Sequence, residues 1–405
     1  MSDLLQPLRN RRLVTLMLGH FTVDSYVGLL PVLYPLLINR FQLNLETVGL
    51  VTLAYSGMAS VSQPLFGILA DRHGTRFTGL ALVWTAATFS AVGFVPTFPA
   101  LVAVAGLSGL GSGAFHPFGA LTVRSLLPDR RANTAMSIYV TGGTVGVAAG
   151  PLIGVVLLSV FGVHGTLLML LPGTAIAGYL LLAMRVKGAG GAAQAGPPPA
   201  WRRALPLAPI AATVGVMASR SVTVFTLQGF TPTWYHQLGY QPWFYGPLVT
   251  TLVLASALGT VGCGALADRV GRKTVIMASL LLSIPVVALY VLLPGPLGFV
   301  WAVLVGVLAA STAPLTLIMA MELMAGRAGL ASGLVLGLAF VTAAIGVPVT
   351  GAIADKVGLQ AALGLQVAVV AVTILIAILL PSERYLRELH EQRARRAAPA
   401  LATGE

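Results

Sequence analysis

A segment that occurs twice at a fixed spacing constrains the fold of this chain more than any other sequence feature. Residues 67–76 read GILADRHGTR, and residues 264–273, which begin 197 positions later, read GALADRVGRK. Prolines and glycines elsewhere keep the same offset, as in Pro117 with Pro314 and Gly154 with Gly351. A gapless second copy indicates a duplication, so we expect two halves built in one register. Such glycine-carboxylate-cation segments suit a tight turn between two helices.

Composition places both halves in a membrane. Only 9% of the residues are charged and 57% are hydrophobic, and the mean hydropathy is +0.89. A water-soluble domain could not carry so apolar a surface. A hydrocarbon core needs about 20 apolar residues per helix. Twelve runs meet this length, at 13–38, 47–70, 77–96, 99–123, 133–160, 165–185, 207–236, 244–267, 274–293, 297–321, 329–353 and 359–381.

The basic residues predict the orientation of these runs. A net charge of +12 could indicate nucleic-acid binding, but the cations are scattered through short polar gaps. With the N-terminus in the cytoplasm, 21 of the 24 basic residues lie inside, whereas Arg40 and Lys356 lie outside. This asymmetry predicts a multi-pass protein of the cell's inner or plasma membrane with both termini cytoplasmic, and no nucleic-acid partner.

Segment boundaries follow from the polar breaks. We predict a first half of six helices at 1–185, a flexible cytoplasmic linker at 186–205, a second half of six helices at 206–381 and a cytoplasmic tail at 382–405. The alternative for the linker is a helix that lies on the membrane surface. Two parallel repeats imply an axis along the membrane normal and a substrate site near the midplane between the halves. The tail is interpreted as a solvated helix end at the headgroups. Because the repeat needs no partner, we expect a monomer.

Several motifs resemble one transporter family. The duplicated segment resembles the loop between helices two and three of the major facilitator superfamily, and GVAAGPLIG at 146–154 resembles the antiporter motif of its drug exporters. Gly19 and His20 followed by Asp24, GSGAFHP at 111–117, and MEL at 321–323 with GR at 326–327 are similar to the fosmidomycin-resistance group. The resemblance implies an all-α integral membrane protein with 12 transmembrane helices in two pseudo-symmetric six-helix bundles, around a cavity lined by helices one, four, seven and ten.

This sequence departs from the group's pattern at two positions. Phe118 stands where a Glu usually follows the His-Pro pair, and Val23 stands where an Asn usually precedes the helix-one Asp. The resemblance therefore implies that a coupling acid of the group is missing from this chain.

Two charges lie deep within apolar runs, namely Asp24 in the first run and Arg220 in the seventh. A charge at the bilayer centre costs about 2.5–3.5 kcal/mol on insertion scales, so each should face a partner or a wet cavity. The repeat offset makes the two positions near equivalents. We therefore expect Asp24 and Arg220 to pair across the cavity, with a purely structural ion pair as the alternative.

Polar side chains at helical spacing extend this predicted site. His20 shares a helix face with Asp24, and Ser112 lies one turn from His116 on the fourth run. On the seventh run, the stripe of Arg220 continues with Thr223 and Gln228. We assign proton coupling to Asp24, His116 and His20, and substrate binding to Arg220, Gln228, Thr223, Ser112 and Tyr26. The alternative for each histidine is helix packing.

Aromatic residues near the outer ends of the first and seventh runs have two interpretations. Tyr26, Tyr34, Trp234 and Tyr235 suit an interfacial belt, which we favour for the group, or substrate contact, for which Tyr26 is the candidate.

Charged residues at the predicted cytoplasmic edge are assigned to gating. They are Asp71, Arg72 and Arg76 in the first copy of the repeated segment, Asp268, Arg269 and Arg272 in the second, and Glu322 with Arg327 beyond the tenth run. We expect Arg327 to neutralise Glu322.

These features predict a proton-coupled secondary transporter that exports small organic anions or drugs. The proton gradient would be its energy source, and it would need no cofactor and no metal. Uptake of an anionic metabolite by proton symport, or transport of a lipid or amphiphile, are the alternatives. An enzyme is disfavoured because the chain lacks HExxH, GxSxG and phosphate-loop motifs. A sensor would be expected to carry a soluble signalling domain.

Overall fold

The structure, a computed structural model, describes residues 10–73, 77–126, 132–183, 206–310, 312–324, 328–389 and 391–392. In chain order its helices are α1 (Arg11–Phe41), α2 (Leu45–His73), α3 (Thr78–Ser90), α4 (Phe98–Leu126), α5 (Ala132–Phe161), α6 (Leu170–Ala183), α7 (Leu207–Gln237), α8 (Pro242–Val270), α9 (Arg272–Leu292), α10 (Gly298–Val305), α11 (Ala313–Leu323), α12 (Ala328–Val357), α13 (Leu359–Gly364) and α14 (Gln366–Ile378). Short 3-10 turns at Ala91–Gly93 and Gly162–Met169 and a π-turn at Gly306–Ala310 complete them.

Most of the predicted apolar runs correspond to continuous helices. Each of the first nine runs corresponds to one helix, α1 to α9 in order. The tenth run is divided into α10, the π-turn and α11, and the twelfth run is divided at Leu365. Nine helical stretches in the described ranges are long and apolar enough to span a membrane. The count of 12 spanning helices remains a prediction, and the linker predicted at 186–205 lies outside the described residues.

Close packing of α1 against α5 depends on glycines. A Cβ atom added at Gly146 would overlap the backbone of Phe21, and one added at Gly150 would lie 2.5 Å from the carbonyl carbon of Gly28. No hydrophobic driving force brings helices together in lipid. Small residues let membrane helices approach until their backbones touch, and the van der Waals contacts so formed hold the helices together. The region around Asp24 is therefore enclosed by α5 on one side.

Residues 11–183, the first half, contact residues 207–389, the second half, near one end of the bundle. There Thr250 on α8 donates a hydrogen bond of 2.7 Å to the carbonyl of Ala148 on α5. The rings of Tyr34 on α1 and Phe230 on α7 lie 6.0 Å apart. We call this the outer end, because the basic residues predict it to be extracellular. The structure therefore has the halves in contact at the outer end.

The aromatic residues near the outer end are packed inside the protein. Tyr26, Tyr34 and Tyr235 are fully buried, and Trp234 is 2% exposed. The Tyr34 hydroxyl is hydrogen-bonded to Thr52 on α2. The interpretation of these residues as an interfacial belt is therefore wrong, because a belt needs rings at the lipid surface.

The first turns of the tail pack on the second half. Residues 383–389 are helical, and Leu386 is 2% exposed within a core cluster of the second half. Glu383 bonds to Arg272 at the start of α9. The predicted helix end is therefore present, but the prediction that it is solvated is wrong for Leu386, which is buried against the second half.

Candidate functional site

Asp24 lies between two histidines in the middle of the first half. Its Oδ2 is 3.2 Å from Nε2 of His20, one turn earlier on α1, and its Oδ1 is 3.2 Å from Nε2 of His116 on α4. The side chains of Asp24 and His116 are 17% and 28% exposed. The three residues that we assigned to proton coupling thus form one cluster, which we call the triad.

The other ring nitrogens of the triad determine where its protons can be. Nδ1 of His20 lies 2.8 Å from the carbonyl oxygen of Tyr139, and Nδ1 of His116 lies 2.7 Å from that of Ser112. A carbonyl oxygen only accepts, so each Nδ1 must carry the hydrogen. In a neutral imidazole Nε2 then has no hydrogen and presents a lone pair to the carboxylate. Each contact between Nε2 and Asp24 therefore becomes a hydrogen bond only when a further proton is taken up.

Helix α5 holds the triad from the side. The ring of Tyr139 stacks on His20 with 4.2 Å between centroids. An added Cβ atom at Gly143 would overlap Oδ2 of Asp24 and lie 2.5 Å from Nε2 of His20. A glycine at 143 is therefore required for the contact between His20 and Asp24, and sequence reasoning did not identify it.

The triad also has the size of a metal site. Its three ligand atoms lie within 4.8 Å of one another, and imidazole with carboxylate is a donor set that divalent transition metals accept. We predicted no metal. A separation of 3.2 Å between nitrogen and oxygen lies at the upper limit of an ordinary N–H···O hydrogen bond, so protons on the two Nε2 atoms would satisfy these contacts. The absence of a metal stays a prediction.

Arg220 is not a partner of Asp24. Its side chain is buried in the second half, where Nη1 donates a 3.0 Å hydrogen bond to the carbonyl of Ala309 and Nη2 contacts the sulfur of Met217 at 3.3 Å. The charged neighbours of Asp24 are the two histidines. The predicted pair between Asp24 and Arg220 is therefore wrong for this conformation, because each charge has partners within its own half.

The partner of Arg220 is an irregular turn between α10 and α11. The π-turn Gly306–Ala310 ends four residues before Pro314, which has no N–H to donate to a carbonyl of the preceding turn. Arg220 donates to Ala309 instead, and the hydroxyl of Ser279 donates to the carbonyl of Leu308. We predicted one continuous helix at 297–321, and Pro314 was the signal for this break. Non-helical backbone at membrane depth is tolerated where the protein satisfies its polar groups.

The remaining predicted substrate contacts lie in different surroundings. Thr223 is 1% exposed, and its hydroxyl has no hydrogen-bond partner in the described part of the chain. Gln228 is partly exposed on α7, and Ser112 is buried beside His116. The hydroxyl of Tyr26 donates a 3.0 Å bond to the carbonyl of Met169 and its ring lies 5.0 Å from that of Phe89. Tyr26 thus has a packing position within the first half.

Part of the predicted gate is described. Nη1 of Arg272 lies 2.9 Å from Oε1 of Glu322, and its Nη2 lies 3.2 Å from Oε2 of Glu383. Hydrogen bonds and charge from Arg272 outweigh the effect of burial and lower the pKa of Glu383. Arg269 is exposed on the last turn of α8. Arg76 and Arg327 lie outside the described residues, as do the side chains of Asp71, Arg72 and Asp268. Glu322 therefore has Arg272 as a partner, and the proposed pair with Arg327 is untested.

Sequence reasoning missed two carboxylates that the structure places at contacts between segments, Glu383 and Asp355. Asp355 accepts hydrogen bonds from the backbone of α2. Its signal was available, because residues 351–358 read GAIADKVG and repeat the GALADRVG of residues 264–271. For Glu383 no motif marks the position.

Comparisons with known proteins agree on one family. A sequence model described as the Major Facilitator Superfamily matches residues 16–296 and 212–403. An uncharacterised MFS-type transporter, YfnC of Bacillus subtilis, is 29% identical over 93% of this chain and 94% of its own length. The fosmidomycin resistance protein of Escherichia coli is 27% identical, over 85% and 86%.

A solved structure has the same fold. The crystal structure of a bacterial homologue of the human lysosomal transporter Spinster, in an inward-facing and occupied conformation, superposes with a TM-score of 0.79 at 16% identity. The match covers 92% of this chain and 97% of the other.

Proposed function

Since this chain belongs to the Major Facilitator Superfamily of multi-pass membrane transporters, we propose that it is a proton-coupled transporter that exports small organic anions or drugs in exchange for protons. Binding of a small-molecule substrate inside the membrane follows from the family, whereas the coupling and the direction are our proposal. The triad of Asp24, His20 and His116 is the single observation that carries it.

The triad can act as a proton carrier because its contacts require protons. With both Nδ1 atoms committed to carbonyls, an empty triad has two lone-pair contacts and an uncompensated carboxylate within the membrane. Uptake of the first proton neutralises the net charge of the triad, whose cost at membrane depth is high. Uptake of the second proton completes the two hydrogen bonds and leaves one net positive charge. Imidazole titrates near physiological pH, so the protons can also be released. We propose that loading occurs from the outside and release to the cytoplasm.

Arg220 is our candidate for the substrate anion. Its guanidinium is a planar fork of donors that matches a phosphonate, phosphate or carboxylate. The relative in Escherichia coli is named for fosmidomycin resistance, which supports a small drug-like anion as substrate. In this conformation Arg220 donates to Ala309. We propose that substrate replaces this carbonyl, with Thr223 and Gln228 on the same helix as further contacts.

Export requires that protons and substrate occupy the transporter in different parts of the cycle. The triad lies in the first half and Arg220 in the second, so rocking of the halves changes the distance between them. We propose that the anion occupies Arg220 while the triad is empty and facing the cytoplasm, and that protons from outside reload the triad after the anion leaves.

A second candidate, proton symport of an anionic metabolite, is favoured by the charge of the triad. With both imidazoles protonated beside the carboxylate, the triad has one net positive charge, and a nearby anion would then stabilise the loaded form. Transport of a lipid or amphiphile remains the third candidate.

We further propose that the protein works as a monomer in the cell's inner or plasma membrane, with both termini cytoplasmic. The proton gradient would be its energy source, without a cofactor. A monomer is consistent with the core clusters, because one cluster joins residues of both halves within this single chain and another lies in the second half.

The experiment that tests the proposal measures substrate-driven proton movement in oriented proteoliposomes that contain a pH-sensitive dye. When a candidate anion such as fosmidomycin is added on the cytoplasmic side, exchange predicts that protons leave the external side and enter the cytoplasmic side. Proton movement together with the anion would establish symport. No proton movement with any transported substrate would contradict the proposed coupling.

A further inference from the structure

Asp355, at the end of α12 in the second half, binds the first turn of α2 in the first half. Its Oδ1 accepts a 2.8 Å hydrogen bond from the backbone N–H of Leu45, and its Oδ2 accepts a 2.9 Å hydrogen bond from that of Glu46. Both oxygens of one carboxylate are thus used by two successive N–H groups. The contact crosses between the halves at the outer end.

The chemistry of this contact is that of a helix cap supplied by another segment. The first N–H groups of a helix have no acceptor within it, and the helix dipole makes them attractive to a negative charge. Hydrogen bonds from a backbone N–H to a carboxylate are stronger than those to a neutral acceptor. Asn44 accepts from Thr47 within the same turn at 2.9 Å. Without Asp355, the backbone N–H groups of Leu45 and Glu46 would have only water as an acceptor.

The backbones on either side hold the carboxylate in place. An added Cβ atom at Gly351 would overlap the carbonyl of Leu45, and one at Gly49 would lie 2.8 Å from the Cα atom of Pro348. Helices α2 and α12 therefore touch along their outer turns, and the cap lies at the end of that contact. Asp355 itself is exposed, so water can replace it when the helices separate.

The segment around Asp355 repeats the segments that we assigned to gating. Six of eight residues are identical between GAIADKVG at 351–358 and GALADRVG at 264–271. The backbone repeats as well, with φ 89° and ψ 148° at Gly271 and φ 85° and ψ 154° at Gly358, each between two consecutive helices. A positive φ of this kind favours glycine. The same turn thus occurs at opposite ends of the second half.

We propose that Asp355 is a gating residue for the outer end: its carboxylate caps α2 only while the halves are in contact there, and it must let go each time the outer side opens. This inference rests on the proposed alternating-access transport, and it adds a residue that works at the opposite end from the predicted cytoplasmic gate. Asp355 would position the halves, with no contact to substrate or protons.

The test compares Asp355→Ala and Asp355→Asn with Lys356→Gln as a matched control. Lys356 is the next residue on the same turn and makes no hydrogen bond or ion pair in the described part of the chain. Spin labels at Gln42 and Val357, both exposed, are introduced after Cys263→Ser removes the native thiol. Distances between the labels then report opening of the outer end in detergent and in lipid.

Asp355→Ala should raise the outer-open population roughly 5-fold, as expected for loss of an exposed helix cap. Asp355→Asn, which keeps one acceptor oxygen, should raise it less, and Lys356→Gln should leave it unchanged. Equal distance distributions in wild type and Asp355→Ala, or an equal shift in the control, would overturn the proposal. Size-exclusion profiles identify misfolded variants, and the milder Asn variant then decides. Because the labels report opening without transport, failure of proton coupling would leave this test valid.

Discussion

Nε2 of His116 on α4 lies 3.2 Å from Oδ1 of Asp24 on α1, although the two residues are 92 positions apart. The contact lies wholly within the first half, whereas the buried cation Arg220 lies in the second half and donates to a carbonyl. The proposed proton site and the proposed anion site therefore belong to different halves. Relative motion of the halves changes the distance between the two sites. Coupling through alternating access requires such a link between the motion and both sites.

Replacing Asp24 by Asn should abolish transport that depends on a proton gradient. The amide is a near isostere, but it cannot take up a proton, and its NH2 group can donate to only one of the two Nε2 atoms. Accumulation against a gradient should fall to the level of empty liposomes, whereas substrate exchange without a gradient should remain measurable. Glu46→Gln, at the exposed outer end, is the control. Full accumulation by Asp24→Asn would remove this residue from the coupling.

The number of protons should depend on both histidines. Each Nε2 contact to Asp24 needs one proton, so the fully hydrogen-bonded triad has taken up about two. Replacing His116 by Gln removes one of the two titrating nitrogens and should reduce the ratio of protons to substrate from about two to about one. The ratio is measured from the membrane potential at which net flux is zero. His164, whose ring lies beside Phe94, provides His164→Gln as a control, and an unchanged ratio in His116→Gln would contradict the count.

The triad could be predicted from the sequence in part. The spacing of His20 and Asp24 fixed them on one face of a helix, and the resemblance supplied His116 and the lining role of its helix. The partner of Asp24 could not be predicted, because helical periodicity says which residues share a face but not which two faces meet. The repeat offset made Asp24 and Arg220 equivalent, and equivalence in a duplication places residues symmetrically rather than in contact.

Local departures from regular helix were harder to predict than the helices. In the part of the chain that the structure describes, hydropathy identified ten runs that each correspond to one continuous helix, since lipid forces the backbone to satisfy its own hydrogen bonds. The π-turn before Pro314 depends on hydrogen-bond donors from other helices, Arg220 on α7 and Ser279 on α9. No local sequence pattern reveals these donors. The cap from Asp355 likewise needs the packing of two distant helices, although the repeated GxxAD pattern marked the residue.

Replacing Arg220 by Ala should remove the stabilisation that anionic ligands give to the purified protein. A ligand at about 100 times its Kd stabilises a protein by about 2.7 kcal/mol, which a thermal-shift measurement resolves. The matched control is Arg40→Ala, because Arg40 also donates to backbone carbonyls, including that of Val95 at 3.0 Å, but in the first half. Both variants should lower the melting temperature, and only Arg220→Ala should lose the response to anions. An equal response in the two would rule out Arg220 as the anion site.

Gly143→Ala should impair coupling without removing any titratable group. The added methyl group would overlap Asp24 and crowd His20, and such overpacking costs about 1–3 kcal/mol. Because the simplest relief separates His20 from Asp24, we expect transport to need a more acidic outside than in the wild type. Gly178→Ala on α6 is the control, since its added Cβ atom would meet no atom within 4 Å. An unchanged pH profile in Gly143→Ala would show that the contact is not needed.

Protonation of Glu383 should loosen the tail. Burial alone would raise the pKa of this carboxyl group, but the hydrogen bonds and charge of Arg272 hold it below the ordinary value of 4.5. A lowered folded-state pKa means that the stabilisation is fully present above the unfolded-state pKa and is lost as the pH falls through the folded-state value. Glu383→Gln should therefore lower the melting temperature at pH 7, and its difference from wild type should shrink as the pH falls below about 4. Glu388→Gln breaks only an exposed pair with Arg384 and should change the melting temperature little at either pH. A difference in melting temperature between Glu383→Gln and wild type that stays constant with pH would contradict this prediction. It would mean that the variant loses packing, because only the loss of an ionised carboxylate makes the difference depend on pH.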